Sequence, residues 1–346
     1  MKAHGYTLQN CDFIKLVLMI MVVLEHSIAV SNDNWFNLDI QKDSLLHWIS
    51  WTLDQFHIYA FVIISGYIFR YLLIEKNHYP DFRGFAWKKA QRLIIPLLFV
   101  SLIWTLPINS VYFGSDIKES IWLLIEGPSQ LWFLYMLFGV YMVAWMISNL
   151  MENKTILLGL IMVICYFVGV VGMQYLPNPF QIWRVLMFLP FFYVGFLLRK
   201  MDAKKISETL DVKTRIMLVG GGILGLLVLL LIRHFVDGRI ASLLSIMTLF
   251  CVRFVLSILA FCGIDMLANK VRWKDSKVIS YGISMSMIVY MFHNQFVFII
   301  IHCLYRFIDL YSLITICFIC SILLSCLLGA VFRKFRVTRY LIGEKV

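Results

Sequence analysis

Charged residues are scarce in this sequence. Asp, Glu, Lys and Arg together make up 15% of its 346 residues, whereas about a quarter is usual in a soluble domain. Hydrophobic residues make up 61%. A soluble globular protein is therefore excluded. One membrane crossing takes roughly 20 apolar residues, so ten crossings leave no room for a separate soluble enzyme domain, and we predict a single membrane domain over residues 1–346.

Three further features are missing. No cysteine pair lies in an extramembrane loop, because all eight cysteines lie in or beside apolar segments. Cys317 and Cys320 form a C-x-x-C without His or acidic residues nearby in the sequence, so we interpret them as small apolar residues and predict no metal. The first apolar stretch is not followed by a small-residue cleavage site, so we expect it to be retained as a span.

Ten apolar runs are long enough to cross a membrane. Each is longer than a barrel strand and lacks the alternating pattern of one, so the crossings are predicted to be helices. The fold class is therefore an all-α integral membrane protein, a bundle of about ten transmembrane helices. The runs lie near Phe13–Val30, Phe56–Ile74, Leu93–Val111, Leu131–Leu150, Ile156–Leu176, Trp183–Leu198, Ile216–Ile232, Ser242–Ala268, Ile283–His302 and Leu310–Phe332.

The positive charges indicate orientation. The formal net charge is +11, but the cations are scattered in short clusters between apolar runs, which is typical of membrane topology rather than of nucleic-acid binding. With ten spans, 24 of the 31 Lys and Arg fall on the side that carries both termini, six fall on the other side, and Arg253 lies within a span. The positive-inside rule then predicts that both termini are cytoplasmic.

Three histidines are predicted to lie within spans at a similar depth. If the first span starts at Phe13, His26 lies about 20 Å from its cytoplasmic end. His57 lies near the outer end of the second span, and His293 about two-thirds across the ninth. A histidine cluster in the outer half of the membrane suits acid–base chemistry on a hydroxyl. The alternative is three separate interhelical hydrogen bonds.

Three other ionisable residues stand out within spans: Lys15 near the start of the first span, Glu25 and Arg253. Glu25 is adjacent to His26 and therefore about 100° away around the helix, so we expect Glu25 to bond another span rather than His26. Arg253 lies alone in mid-span. Asp265 is too far along the same helix to pair with it, so we expect its partner on another element.

A cluster of cations lies in the cytoplasmic connection between the second and third spans. Lys88 and Arg92 are four residues apart and so share one helical face. Lys89 is adjacent to Lys88, and Arg70 lies near the start of the same connection. Such a face suits the phosphates of a nucleotide-like cofactor. Membrane topology and anionic lipid would produce the same basic loop, so both interpretations stay open.

The longest outer connections, Ser31–Gln55 and Tyr112–Gln130, are acidic and aromatic. An acidic, aromatic rim suits a polar, sugar-like ligand. It is also what remains on the outer side once the topology rule has placed the cations inside.

Five motifs follow one another along the chain and together resemble a known family. They are DFIK (12–15) with VVLEH (22–26), FHIYAF (56–61) with SGYIF (65–69), KKAQRLIIP (88–96), LWFL (131–134) and YMFH (290–293). This series resembles the bacterial integral-membrane acyltransferase family often called acyltransferase 3. Its members transfer acyl groups, usually acetyl, onto cell-surface glycans and related acceptors. Lys15 stands where many members have Arg, Gln130 where His is frequent, and Tyr59 and Asn294 where Pro follows the histidine.

The resemblance implies a reaction and a set of site residues. The donor would be cytoplasmic acyl-CoA, in particular acetyl-CoA, and the acceptor a hydroxyl of a cell-surface polysaccharide or lipid-linked glycan at the bacterial inner membrane. His26 would be the general base, with His57 and His293 orienting donor or acceptor. The donor phosphates would be held by Lys15, Arg70, Lys88, Lys89 and Arg92.

The rival interpretation is a multi-span transporter of a lipid-linked saccharide or another polar solute. Charged residues inside a helical bundle fit that class as well. Transporters usually show internal repeats with paired broken helices, and no such repeat is evident in the sequence.

Overall fold

The computed structural model describes residues 6–31, 43–114, 116–201 and 238–344, together with residues 220, 224, 225, 228 and 231. All regular elements in these residues are helical, and no strand occurs among them. Within the same ranges, nine helices are long and apolar enough to cross a membrane. The prediction of an all-α integral membrane protein is therefore confirmed. The predicted seventh span, Ile216–Ile232, lies outside the described residues.

The helices are numbered here in chain order. The first seven are α1 (Tyr6–Ile28), α2 (Ser44–Asp54), α3 (His57–Arg70), α4 (Phe82–Val100), α5 (Leu106–Phe113), α6 (Ile117–Glu126) and α7 (Trp132–Met146). The remaining seven are α8 (Ser148–Asn153), α9 (Thr155–Tyr175), α10 (Ile182–Lys200), α11 (Gly238–Lys270), α12 (Lys277–Leu304), α13 (Leu310–Phe332) and α14 (Arg336–Leu341).

The two long connections predicted on the outer side are partly helical, which the sequence interpretation missed. Helix α2 lies in the first of them and α6 in the second. Their acidic residues have structural roles: Asp43 accepts hydrogen bonds from the backbone N–H groups at the start of α2, and Asp116 caps α6. The hydroxyl of Tyr311 also donates to Asp43, and this bond lowers the pKa of the Asp43 carboxyl. Helix capping thus accounts for part of the acidic outer rim.

The third predicted span begins earlier than Leu93 and is not a uniform α-helix. It runs from Phe82 to Tyr112 and contains a π-helical turn, Ser101–Thr105, between α4 and α5. Pro107 follows this turn. A proline inside a helix has no N–H to donate and collides with the carbonyl four residues earlier, and a wider turn relieves that collision.

The chain forms two compact units, each described by itself. The first comprises Met1–Leu18, Trp51–Asn77 and Pro190–Ile283. In it, α3 and α10 pack backbone against backbone at Gly66 and Gly195: a Cβ on Gly66 would overlap the Phe192 carbonyl, and one on Gly195 would overlap the Ile63 carbonyl. Small residues permit this approach, which matters in lipid because helices there associate by close packing.

The second unit comprises Met19–Ser50, His78–Leu189 and Ser284–Val346. Helices α4 and α7 pack on each other in it, and α9 receives the ring of Trp183 from α10 against Gly172. Helix α13 packs on α12, where Gly329 leaves room for Ile288. One apolar cluster joins the end of α1 to α2, α12 and α13, and its members include Ile28, Leu46, Val297, Ile301 and Leu313. These contacts hold the end of α1 beside α12.

We expect Gly195→Ala to destabilise the protein, because the added methyl group cannot fit against the Ile63 carbonyl without moving a backbone. Overpacking of this kind costs about 1–3 kcal/mol or more. The matched control is Gly263→Ala in the same unit, where a Cβ meets no atom within 4 Å among the described residues. Thermal unfolding of the purified variants in detergent measures both effects. Equal unfolding temperatures for the two variants would contradict the close packing of α3 and α10.

Candidate active site

Two of the predicted histidines are in direct contact in the second unit. Nε2 of His293 on α12 lies 2.8 Å from Nδ1 of His26 on α1, and the two rings stack with centroids 4.9 Å apart. His293 is fully buried, and His26 is 8% exposed. The predicted convergence of these two histidines is therefore observed.

The hydrogen bonds determine where the protons of the two rings lie. Nδ1 of His293 is 2.8 Å from the carbonyl oxygen of Val289 and 3.0 Å from that of Tyr290. A carbonyl only accepts, so we assign a proton to this nitrogen. In the neutral ring of His293, Nε2 is then a hydrogen-bond acceptor, and Nδ1 of His26 donates the hydrogen bond to it. His26 is left with Nε2 as the nitrogen that can gain or lose a proton.

Glu25 lies against that nitrogen, which corrects the sequence interpretation. Oε2 of Glu25 is 3.4 Å from Nε2 of His26, so the two adjacent residues do pair. The 100° between them describes where their Cβ atoms point, whereas the flexible glutamate side chain reaches around the helix surface. At 3.4 Å this contact is longer than a usual hydrogen bond, so Nε2 of His26 stays able to accept a proton. Once it has accepted one, it forms an ion pair with Glu25.

Ser50 of α2 fixes the other oxygen of this carboxylate. Its hydroxyl donates to Oε1 of Glu25 at 3.1 Å. The prediction that Glu25 bonds another helix is therefore confirmed as well. Glu25 connects two partners, a hydroxyl from α2 and an imidazole from its own helix, and both contacts orient its carboxylate beside His26.

A set of buried amides holds the turn of α12 that carries His293. Nε2 of Gln130 donates to the Met291 carbonyl at 2.7 Å and to Oε1 of Gln295 at 3.2 Å. Tyr290 donates its hydroxyl to the Gln130 carbonyl, and Asn294 donates its amide to the Ser129 hydroxyl. The residues on both sides of His293 are thus bonded to the short turn before α7. Ser129 adopts φ 51°, a conformation that costs energy for a residue other than glycine.

His57 and Arg253 lie in the first unit. His57 is buried at the start of α3, where Nδ1 lies 2.5 Å from the Leu53 carbonyl, and Nε2 has no hydrogen-bond partner in the described part of the chain. Arg253 on α11 donates from Nε to Oε1 of Gln55 at 3.0 Å and lies over the ring of Tyr59. The expectation that Arg253 finds its partner on another element is confirmed.

Lys88, Lys89 and Arg92 gather around Tyr79 in the second unit. The ammonium of Lys88 lies 5.5 Å from the Tyr79 ring centre, and that of Lys89 lies 3.6 Å from the ring centre of Tyr141. Burial raises the pKa of Tyr79, and the charge of Arg92 opposes this rise. Lys88 and Arg92 are exposed on one face of α4, whereas Lys89 is half-buried among aromatic rings.

The two remaining predicted site residues already have acidic partners. Nζ of Lys15 lies 3.2 Å from Asp12 on the same helix. Arg70 lies 3.2 Å from Glu75, whose carboxylate also accepts a 2.7 Å hydrogen bond from Nε of Arg199. Both contacts belong to the first unit.

Sequence reasoning missed Ser50, Tyr290, Gln130, Asn294 and Gln295 as parts of this site. Gln130 and Asn294 stand at positions where this chain departs from the family motifs, and that departure was the signal available. Each of these residues acts through contacts between helices, and a single sequence does not show which helices are neighbours.

The fold defines a multi-pass membrane protein, and its second unit contains a buried pair of histidines. The family model of the acyltransferase domain called acyltransferase 3 matches residues 8–332. The chain therefore belongs to the acyltransferase 3 family and is a membrane acyltransferase. No curated protein and no solved structure matched the chain significantly.

We expect Gln130→Leu to lower the free energy of unfolding by about 1–3 kcal/mol, because it leaves the Met291 carbonyl and the Gln295 amide without their partner in a buried site. Gln91→Leu is the control, because the side chain of Gln91 makes a long bond of 3.4 Å to Tyr340 and no other within the described ranges. Chemical or thermal unfolding measures both changes. A Gln130→Leu protein as stable as the control would show that the amide set does not hold α12.

Proposed function

We propose that this protein transfers an acyl group, most simply acetyl, from acyl-CoA to a hydroxyl of a cell-surface polysaccharide or lipid-linked glycan. The proposed setting is the bacterial inner membrane, with both termini and the donor on the cytoplasmic side, as the distribution of cations predicts. The observation that carries the proposal is the contact between His26 and His293, with Glu25 beside it. Family membership makes this pair part of an acyltransferase rather than of a transporter.

The proposed chemistry begins with the acceptor hydroxyl. Nε2 of His26 takes the hydroxyl proton while the acceptor oxygen bonds to the acyl carbonyl carbon. The bond between that carbon and the sulfur of CoA then breaks, and the released thiolate takes the proton from His26. The products are an O-acyl ester and free CoA.

His293 acts through His26 in this mechanism. Its ring is fixed by two backbone carbonyls and in turn accepts the hydrogen on Nδ1 of His26, so it determines both the orientation and the tautomer of His26. When His26 gains a second proton, the Glu25 carboxylate balances the new charge. This is the arrangement in which an imidazole works as a general base between an acid and an orienting partner.

The donor phosphates are proposed to bind at the exposed face of α4. Lys88 and Arg92 lie on one face of this helix, and both are exposed. The other predicted phosphate ligands have competing contacts, since Lys89 lies among aromatic rings and Arg70 and Lys15 lie beside carboxylates. Among the predicted phosphate ligands, Lys88 and Arg92 are therefore proposed to make the main contacts with the donor phosphates. The role of His57 in orienting a substrate stays a prediction.

We expect His26→Ala to reduce acyl transfer by about 10²–10⁴-fold, the usual contribution of a general base, while the protein still folds. His302→Ala is the matched control, because His302 lies on α12 and also bonds a backbone carbonyl, at 2.9 Å. The measurement is the initial rate of acyl transfer from acetyl-CoA by purified protein. Normal turnover by His26→Ala would rule out His26 as the base.

Reversing both exposed cations, Lys88→Glu with Arg92→Glu, should weaken acyl-CoA binding, because repulsion replaces attraction at the phosphates. The affinity for the acceptor should hardly change. Lys154→Glu with Lys277→Glu is a control of equal charge at two other exposed positions. Calorimetric titration of CoA into the purified variants measures donor binding. Equal CoA affinity in the two double variants would show that Lys88 and Arg92 on α4 do not bind the donor.

A further inference from the structure

Four buried polar atoms on the third span have no hydrogen-bond partner among the described residues: Oγ of Ser101, Nε1 of Trp104, Oγ1 of Thr105 and Oδ1 of Asn109. Ser101 and Thr105 are fully buried, and Asn109 is 9% exposed. All four lie on the stretch formed by the π-helical turn and α5. A buried polar group without a partner lowers stability, so four of them on one stretch require an explanation.

Other hydroxyls within the spans show how the same cost is normally avoided. Ser65, Thr248, Ser257 and Thr315 each donate to the backbone carbonyl four residues earlier. The hydroxyls of Ser101 and Thr105 make no such bond to the described residues. They lie at the two ends of the π-helical turn, which changes the hydrogen-bonding pattern of the helix at this point.

This stretch lies in the second unit, as do the exposed cations of α4 and the part of α12 that carries His293. Toward the cytoplasmic end, the same span carries Lys88 and Arg92, and Thr105 lies about 20 Å beyond Arg92 along the helix. Toward α12, the ring of Trp104 packs against Phe292 at 5.9 Å and Phe296 at 5.0 Å. Phe292 directly precedes His293. The unpaired atoms therefore lie between the exposed cations and the histidine helix.

A third unpaired hydroxyl lies on a neighbouring helix. Ser325 of α13 is fully buried, and its hydroxyl has no partner within the described ranges. Seven residues further along α13, Phe332 packs against Phe99 of α4 at 5.8 Å and against Phe292 at 5.6 Å. Ser325 lies about 10 Å from Phe332 along α13, and Thr105 about 9 Å from Phe99 along the third span. The hydroxyls of Ser325 and Thr105 thus lie at similar distances from the contact between Phe332 and Phe99.

We propose that Ser101 and Thr105 bind the amide groups of the donor's pantetheine arm as it extends from the cations of α4 toward His26. This inference rests on the proposed function, because it takes acyl-CoA as the donor. The arm is long and thin, and carries two secondary amides and a hydroxyl. Its amide oxygens accept hydrogen bonds from the serine and threonine hydroxyls, and its amide N–H groups suit an acceptor such as Oδ1 of Asn109.

Loss of the Ser101 and Thr105 hydroxyls should affect stability and donor binding differently. Without the donor, neither hydroxyl has a partner among the described residues. Replacing the two hydroxyls by apolar groups of similar shape therefore leaves stability equal or higher. With the donor bound, the same replacement removes two hydrogen bonds. The π-helical turn, which lacks regular α-helical bonds, is where the span yields most easily to admit the arm.

The test compares CoA with 3′-phospho-ADP, which keeps the phosphates but lacks the arm. In Ser101→Ala with Thr105→Val, CoA affinity should fall about tenfold, the 3′-phospho-ADP affinity should change less than about twofold, and the unfolding temperature without ligand should hold or rise. The control is Ser321→Ala with Thr315→Val on α13, whose hydroxyls donate to backbone carbonyls. It should bind CoA as the wild type does.

The outcomes separate this inference from the proposed function. If the double variant loses CoA and 3′-phospho-ADP affinity equally, or unfolds at a lower temperature, the hydroxyls are structural and the inference is overturned. If wild-type protein binds CoA no more tightly than 3′-phospho-ADP, no part of the span binds the arm, and the inference fails while the donor site stands. If wild-type protein binds neither compound, the proposed function itself fails.

Discussion

Polar groups inside a membrane need partners within the protein, because lipid offers no hydrogen bonds. The site around His26 meets this constraint through a continuous series of contacts. Ser50 donates to Glu25, Glu25 pairs with His26, His26 bonds His293, and His293 bonds the carbonyls of its own helix. Each contact that satisfies a buried group also fixes the geometry of the next one. The same contacts therefore stabilise the protein and position His26.

The same constraint separates the cations that serve structure from those that face water. Glu75 lies between Arg70 and Arg199, and Lys89 lies against aromatic rings, so these charges are engaged within the protein. Lys88 and Arg92 stay exposed on α4. A phosphate-bearing donor would meet this pair first. Ser101 and Thr105, whose hydroxyls have no partner in the part of the chain that the structure describes, lie further along the same span.

Much of the fold followed from the sequence, because the length of an apolar span is a local property of the sequence. Nine of the ten predicted spans correspond to helices in the described residues, and the family motifs indicated the family that matches residues 8–332. The pairing of Glu25 with His26 was predicted wrongly, because helical geometry locates a Cβ but not the end of a flexible side chain. The roles of Ser50 and Gln130 depend on which helices are neighbours, and periodicity does not encode that.

We propose that the protein transfers an acyl group from acyl-CoA to a hydroxyl, with His26 as the base and His293 orienting it. The most direct measurement supplies radiolabelled acetyl-CoA to purified protein in lipid vesicles with a glycan or lipid-linked acceptor. The account predicts that label appears in the acceptor fraction as a base-labile ester, with an equal amount of CoA released. Label that crosses the membrane without forming an ester, or acetyl-CoA that stays intact, would contradict it.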